Sequence, residues 1–444
     1  MLKYFILFNI LFITVQLSAD LRKITLNDCI RISLENHPNL MVSEESRKGA
    51  VNDSLAVKAK SSILINGTIQ TVEYLKQNAS TSGSFKVPGK DTDIGLFAGF
   101  DAKYTIYDGR QVRLEKLSEY TVDIAKLDSA RVKNETIFNV KKSYFEYLFA
   151  RENMEYQNKL KDKFKEKRDQ AKVLYNTGQR PILEVTKAEV GYSESLLDFE
   201  KAKNNELQKK GQLFTSMGVD ETEVDIENSD LKNLPIIKYT VDELTKFSNT
   251  FNPTVGIVSL NRKTNKMKVD AERARYYPVI DFYFRLGFQN TGLKGFDQFD
   301  QNFSSSNWSP SSSFSIQAAV PVYTGGLIAA KIQSAITEYN KSVYKEREVL
   351  IDIKRTLSSS FRNLAELSKQ IKLSEAVVEN SEKHLLLASK TYQSGTGSLF
   401  DLYDAESSLI KARLSLLSAK YNYLLTIAMI AQIVGVDEAQ ICKK

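Results

Sequence analysis

The side chains able to do chemistry in this 444-residue chain are few, and most stand apart from one another. The two histidines, His37 and His384, fall one in each half at non-equivalent positions, and the only cysteines, Cys29 and Cys442, lie near opposite ends. Two isolated thiols build neither a disulfide framework nor a thiolate metal site. No Gly-x-Ser-x-Gly elbow, phosphate-cradling glycine loop or metal-ligand spacing accompanies them. The residues therefore argue against an enzyme, a resident cofactor and a resident metal. Asp401 and Asp404 do stand together, three apart and on one face of any helix that carries them. Carboxylates gathered in this way attract cations. The same acids also suit a helix start, because Ser398-x-x-Asp401 is a capping-box pattern and the helix dipole favours acids in the first turn.

The elements that position these acids occur twice. Thr25-Leu26-Asn27-Asp28 with Pro38 returns as Thr240-Val241-Asp242-Glu243 with Pro253, and Tyr104 to Gly109 returns as Val320 to Gly325. Tyr175-x-x-Gly178 with Glu184, Ala188 and Glu189 returns as Tyr392-x-x-Gly395 with Asp401, Ala405 and Glu406. The offset drifts only from 215 to 217, which predicts two structural repeats, 20–235 and 236–444, in pseudo-symmetric arrangement. Residues 1–19 read as a secretory signal: Lys3, an apolar stretch, and Leu17-Ser18-Ala19 before Asp20. Beyond it no run of 18 apolar residues occurs and the mean hydropathy is −0.31, which excludes membrane-spanning helices on this reading. The net charge of +7 is spread over interleaved Lys and Glu, the pattern of solvated helix faces and not of a nucleic-acid partner.

Arg110 to Thr177 and Leu327 to Ser394 each run 68 residues without Gly or Pro, the main helix breakers. At about 1.5 Å per residue each predicts a helix on the order of 100 Å long. Apolar residues at three-four spacing, such as Leu117, Tyr120, Ile124 and Leu127, predict coiled-coil-like packing. Each helix closes at a glycine, Gly178 or Gly395, and a shorter helix follows, so each half predicts a helical hairpin with a known tip. Between the helices lie four segments of period two, about 62–74, 93–107, 278–290 and 312–323, apolar on one side and polar on the other. The joining stretches Leu75–Thr92 and Asn290–Pro310 are polar and rich in Gly, Ser and Asn. With an export signal, such strands suit an outer-membrane barrel with a wet interior; a soluble sheet over a core shows the same alternation. Four strands cannot close, since the smallest barrels have about eight and an open edge in lipid leaves backbone groups unpaired. Three copies supply twelve strands.

Several motifs together resemble the TolC family of outer-membrane efflux proteins over essentially the whole mature chain. They are Ile24 to Ile30 with Glu35-Asn36-His37-Pro38-Asn39-Leu40, the turns Tyr107-Asp108-Gly109 and Pro321 to Gly326, and the tip Tyr392 to Ala405. The resemblance implies a mixed, mainly α fold: a homotrimer whose twelve-stranded β-barrel, four strands per chain, crosses the outer membrane and continues as a periplasmic α-helical barrel. It implies an exit duct of a tripartite efflux or type I secretion system, meeting a periplasmic adaptor and an inner-membrane RND, ABC or MFS pump. By the same resemblance, Asp401 and Asp404 form a periplasmic aperture open to cation block, while Glu184, Arg180, Tyr392 and Tyr175 latch it. Gly178, Gln179, Gly395, Thr396, Gly397 and Ser398 then meet the adaptor. Two departures stand out: Gly397 occupies the place of the family's latch arginine, and Thr105 replaces a strand-end proline. The tail after Gly435 is short, so any girdle built from it is small. The competing reading is a secreted, soluble coiled-coil scaffold without channel activity, which explains the helices but not the duplicated strands.

Overall fold

Both halves open with the same local device. The computed structural model describes residues 23–75, 92–220, 226–227, 231, 234–294 and 308–443. The signal segment and most of the two polar strand-joining stretches lie outside these residues. Helix α1 (Leu26–Asn36) starts at a complete capping box, Thr25 with Asp28, and α5 (Val241–Phe251) starts at its counterpart, Thr240 with Glu243. In each box the threonine oxygen and the acid satisfy backbone donors that the first helical turn leaves orphaned. Next come α2 (Pro38–Ala59) and α6 (Pro253–Arg273), both with proline at their first position and a side-chain cap, His37 or Asn252. Proline fits there because the missing N–H has no intrahelical partner anyway.

The long helices are unbroken: α3 is Gly109–Asn176, 68 residues, and α7 is Leu327–Gln393, 67 residues. Each turns back at its glycine into a helix of 36 residues, α4 (Ile182–Met217) or α8 (Leu399–Val434). Gly178 and Gly395 take φ of 72° and 80°. The next amides reach back to close the turns, Gln179 N–H to Leu174 C=O at 2.8 Å and Thr396 N–H to Thr391 C=O at 3.1 Å. Helix α8, between Phe400 and Val434, is the one helix among the described residues long and apolar enough, by composition, to cross a membrane, and 44% of its most apolar 18-residue window is buried in the fold. Scattered polar residues hide this from a search for an unbroken apolar run.

Four strands form one antiparallel sheet in the order β1 (Leu64–Leu75), β2 (Thr92–Asp108), β4 (Val279–Lys294), β5 (Ser309–Ala319). The last strand starts at Ser309 and ends at Ala319, whereas alternation alone runs over 312–323. Pro321 has no N–H for a ladder, and Gly325 and Gly326 at φ 57° and 83° turn the chain into α7. The register keeps the two faces apart. Ile65, Phe100, Leu286 and Phe314 stand on one face, 50% exposed or more, while Gln70, Asp101, Arg285 and Ser313 share the other.

Midway along the helices sit two matched cores. One gathers Cys29, Val140, Tyr144, Leu148, Leu213 and Met217, and the other gathers Leu244, Leu357, Leu364, Ile427, Ile430 and Val434. Ser33, buried on α1, donates to the Ser216 carbonyl at the end of α4 (3.1 Å); Ser248 on α5 donates to the Ile433 carbonyl at the end of α8 (3.0 Å). The tail beyond Gly435 forms α9 (Glu438–Ile441) and the two-residue strand β6 (Cys442–Lys443), which pairs antiparallel with β3 (Ile236–Ile237).

Candidate functional site

Helix α8 begins where the second hairpin turns, and its first residues carry the paired acids. Ser398 caps it by accepting from the Phe400 N–H at 3.1 Å. The other half of a capping box, which Ser398-x-x-Asp401 predicts, is not formed: among the described residues Asp401 makes no hydrogen bond to the cap. Asp401 and Asp404 are both exposed and neither joins an ion pair among the described residues. They stand free at the tip, one helical turn apart on one face.

The remaining tip residues are partly brought together. Arg180 Nη1 lies 3.1 Å from Glu184 Oε1, but the pair is an i,i+4 contact within one hairpin and does not link the two. Tyr175 is 43% exposed and its side chain bonds to nothing among the described residues. Tyr392 is half-buried against Ala388, Leu402 and Ala405, and the Lys167 ammonium from the other hairpin lies 5.0 Å from its ring centroid. At Gly397 the structure explains the missing arginine. Its N–H donates to the Thr391 carbonyl at 2.9 Å, and a β-carbon there would come within 2.8 Å of the Thr391 and Tyr392 backbone. No side chain fits. Gly178, Gln179, Gly395 and Thr396 are exposed, with open space around both positive-φ glycines.

One group of residues escaped sequence reasoning. Phe164 of α3 stacks on Tyr403 of α8, with centroids 4.1 Å apart and planes tilted by 31°. Beside them Lys163 pairs with the buried Glu406 at 3.1 Å. Gly191 on α4 makes room, since a β-carbon there would meet the Phe164 ring at 2.9 Å. Burial, with Tyr392 and Glu406 adding to it, pushes the Tyr403 phenol well above its usual range. Only the register between the hairpins brings these residues together.

At the other end the sheet has a charged face. Arg285 Nε donates to Asp101 at 2.7 Å, and its guanidinium lies 4.6 Å from the Phe97 ring centroid. Lys103 pairs with Asp281 at 3.1 Å, and Thr105 donates to the same carboxylate at 2.7 Å. Phe97 lies over the cross-strand pair Gly99 and Gly287, where a β-carbon on either glycine would meet its ring within 3.0 Å. The opposite face is apolar, and Tyr104, Tyr107, Tyr276 and Tyr277 are exposed where the strands meet the helices. Such a band of amphipathic rings suits a membrane–water boundary. It was readable as a tyrosine cluster flanking the strands.

A sheet apolar on one face, charged on the other and, among the described residues, open at both edges, carried on helices on the order of 100 Å long, has the architecture of an outer-membrane duct. The family model described as "Outer membrane efflux protein" matches residues 74–219 and 252–436. Outer membrane protein TolC of Escherichia coli is 23% identical over 336 residues, covering 74% of this chain and 67% of that protein. The alkaline protease secretion protein AprF of Pseudomonas aeruginosa is 27% identical over 181 residues, 40% of this chain and 35% of that one. The CmeC outer membrane channel of Campylobacter jejuni superposes with a TM-score of 0.78 at 16% identity, covering 94% of this chain and 88% of that chain. The chain belongs to the outer membrane efflux protein family. Its place is the outer membrane, with the helices in the periplasm, and it serves as an exit duct. The soluble-scaffold reading falls with that membership.

Proposed function

We propose that three copies of this chain assemble into one duct that carries substrates from an inner-membrane pump to the exterior. The observation that carries this reading is the four-stranded sheet, whose outer edges on β1 and β5 are unpaired among the described residues and which has an exposed apolar face. An open edge within lipid is unfavourable by several kcal/mol per unsatisfied backbone group. Pairing β1 of one copy with β5 of the next closes twelve strands into a ring. The charged face of each sheet then lines the lumen, where the Arg285–Asp101 and Lys103–Asp281 pairs hold its net charge near neutrality.

In that trimer the free acids Asp401 and Asp404 ring the periplasmic aperture with six carboxylates, which favour cations and bind divalent ones. The exposed tip turns at Gly178-Gln179 and Gly395 to Ser398 receive the hairpin of a periplasmic adaptor, and an RND, ABC or MFS pump sits beyond it. No catalytic role belongs to any of these groups. Single-channel recording on wild-type and Asp401→Ala/Asp404→Ala trimers tests the aperture. Loss of cation selectivity and of divalent block is expected; unchanged selectivity and block reject the assignment.

A further inference from the structure

Where sheet gives way to helix, the side chains change character in a fixed order. Exposed apolar residues reach Ile65 on β1 and Ile106 on β2, and the exposed rings of Tyr107, Tyr276 and Tyr277 follow. At that level α2 ends at Ala59, α3 starts at Gly109, α6 ends at Arg273 and α7 starts at Leu327. Apolar side chains followed by amphipathic rings mark the depth at which hydrocarbon gives way to lipid headgroups.

Charge at this level is unbalanced. The segments that join sheet to helix, 57–64, 108–116, 270–277 and 323–331, hold eight Lys or Arg against four Asp or Glu, an excess of four in a chain whose total is +7. At the opposite end the tip segments 167–189 and 390–406 hold six of each. Most carboxylates near the sheet are engaged. Arg110 and Arg275 share Glu272 at 3.6 and 2.5 Å, Lys58 and Lys116 share Glu119 at 3.2 and 2.8 Å, and Asp108 caps α3. Lys60, Arg113, Arg273 and Lys331 join no ion pair among the described residues, and Asp270 is the one acid of these segments that is equally free of partners there.

Helix stability accounts for only half of this set. Lys60 and Arg273 stand at the C-terminal ends of α2 and α6, where the helix dipole favours cations. Arg113 and Lys331 are the fifth residues of α3 and α7, near helix starts that favour anions, and neither helix has an acid in its first turn. Arg113 turns back toward the strands: it donates to the Gly109 carbonyl, and its guanidinium carbon lies 5.9 Å from the Tyr277 ring centroid. A long cationic side chain reaching from a helix end toward an aromatic belt has the posture of one that meets a membrane surface.

We propose that Lys60, Arg113, Arg273 and Lys331 form a collar that binds the phosphates of anionic phospholipids in the periplasm-facing leaflet, at a depth set by Tyr107 and Tyr277. The free cations supply the attraction, and the guanidinium forks of the two arginines match phosphate oxygens. The collar rests on the outer-membrane placement of the sheet and not on the number of copies in the duct.

Electron spin resonance of full-length protein in phosphatidylcholine bilayers tests it, with spin-labelled phosphatidylglycerol and spin-labelled phosphatidylcholine as the two probes. Wild type is expected to hold the anionic probe several-fold more strongly than the neutral one. Arg113→Gln with Arg273→Gln, and separately Lys60→Gln with Lys331→Gln, are each expected to lower that preference, and the variant carrying all four to abolish it. A control that removes four exposed lysines from the helices, Lys133, Lys203, Lys372 and Lys383, each to Gln, is expected to keep it. Absence of any preference in wild type, or its survival in the four-residue variant, overturns the collar. Equal loss in the control overturns it too, because net charge then acts without regard to place. If wild type does not enter bilayers at all, the membrane placement of the sheet falls with the collar.

Discussion

Four glycines in left-handed backbone close four helices, yet their surroundings differ. Gly178 and Gly395 face open space, so alanine there meets only the strain of positive φ, about 1–2 kcal/mol. Gly218 and Gly435 press on the elbows before α2 and α6, where a β-carbon would approach His37 Cα at 2.7 Å and the Phe251 carbonyl at 2.6 Å. Thermal unfolding followed by circular dichroism is therefore expected to rank Gly218→Ala and Gly435→Ala as clearly more damaging than Gly178→Ala and Gly395→Ala. Equal losses at all four would contradict the packing described. The thiols report burial in another way. Desolvation pushes the Cys29 thiol up to about 12 and the Cys442 thiol up to about 11, so neither forms thiolate at neutral pH in the folded chain. Maleimide labelling is expected to follow unfolding, and fast labelling of native protein would contradict this.

At the level of elements, the repeats make paired predictions. Hydrogen bonds from the side chain and backbone of Thr25 hold Asp28 below the usual carboxylate range, and those from the backbone and side chain of Thr240 do the same for Glu243. A lowered folded-state pKa gives stability that is present above the unfolded carboxylate range and is lost as pH falls through the folded value. The difference in melting temperature between wild type and Asp28→Ala is thus expected to shrink as the solution is acidified below that range. A difference independent of pH would contradict it. Ser33→Ala and Ser248→Ala each strip a hydrogen bond from a helix-end carbonyl, and each is expected to cost about 1–3 kcal/mol, at similar size in the two halves. Chemical denaturation measures both.

The elements also show what was legible in the sequence. Capping boxes, proline starts and glycine stops are local signals, so the bounds of α3 and α7 could be read to within a residue or two. Strand alternation ran on past Ala319 because Val320 and Val322 continue the pattern; only Pro321 and the two glycines mark the true end. At the tip, Arg180 and Glu184 were legible as a charged pair, but helical spacing alone already satisfies them. The pairing of Phe164 with Tyr403 depends on the register between α3 and α8, more than 200 residues apart, and no local pattern encodes that.

For the whole molecule, every feature points along one axis. Exposed apolar side chains cover one face of the sheet, charges line the other, and the long helices carry the chain to a tip bearing two free carboxylates. Among the described residues, nothing within one chain pairs with the outer edge of β1 or of β5. The central claim is therefore a matter of copy number, and native mass spectrometry of the detergent-extracted particle reads it directly. The account predicts three identical subunits per particle; a particle of one, two or four subunits would contradict it.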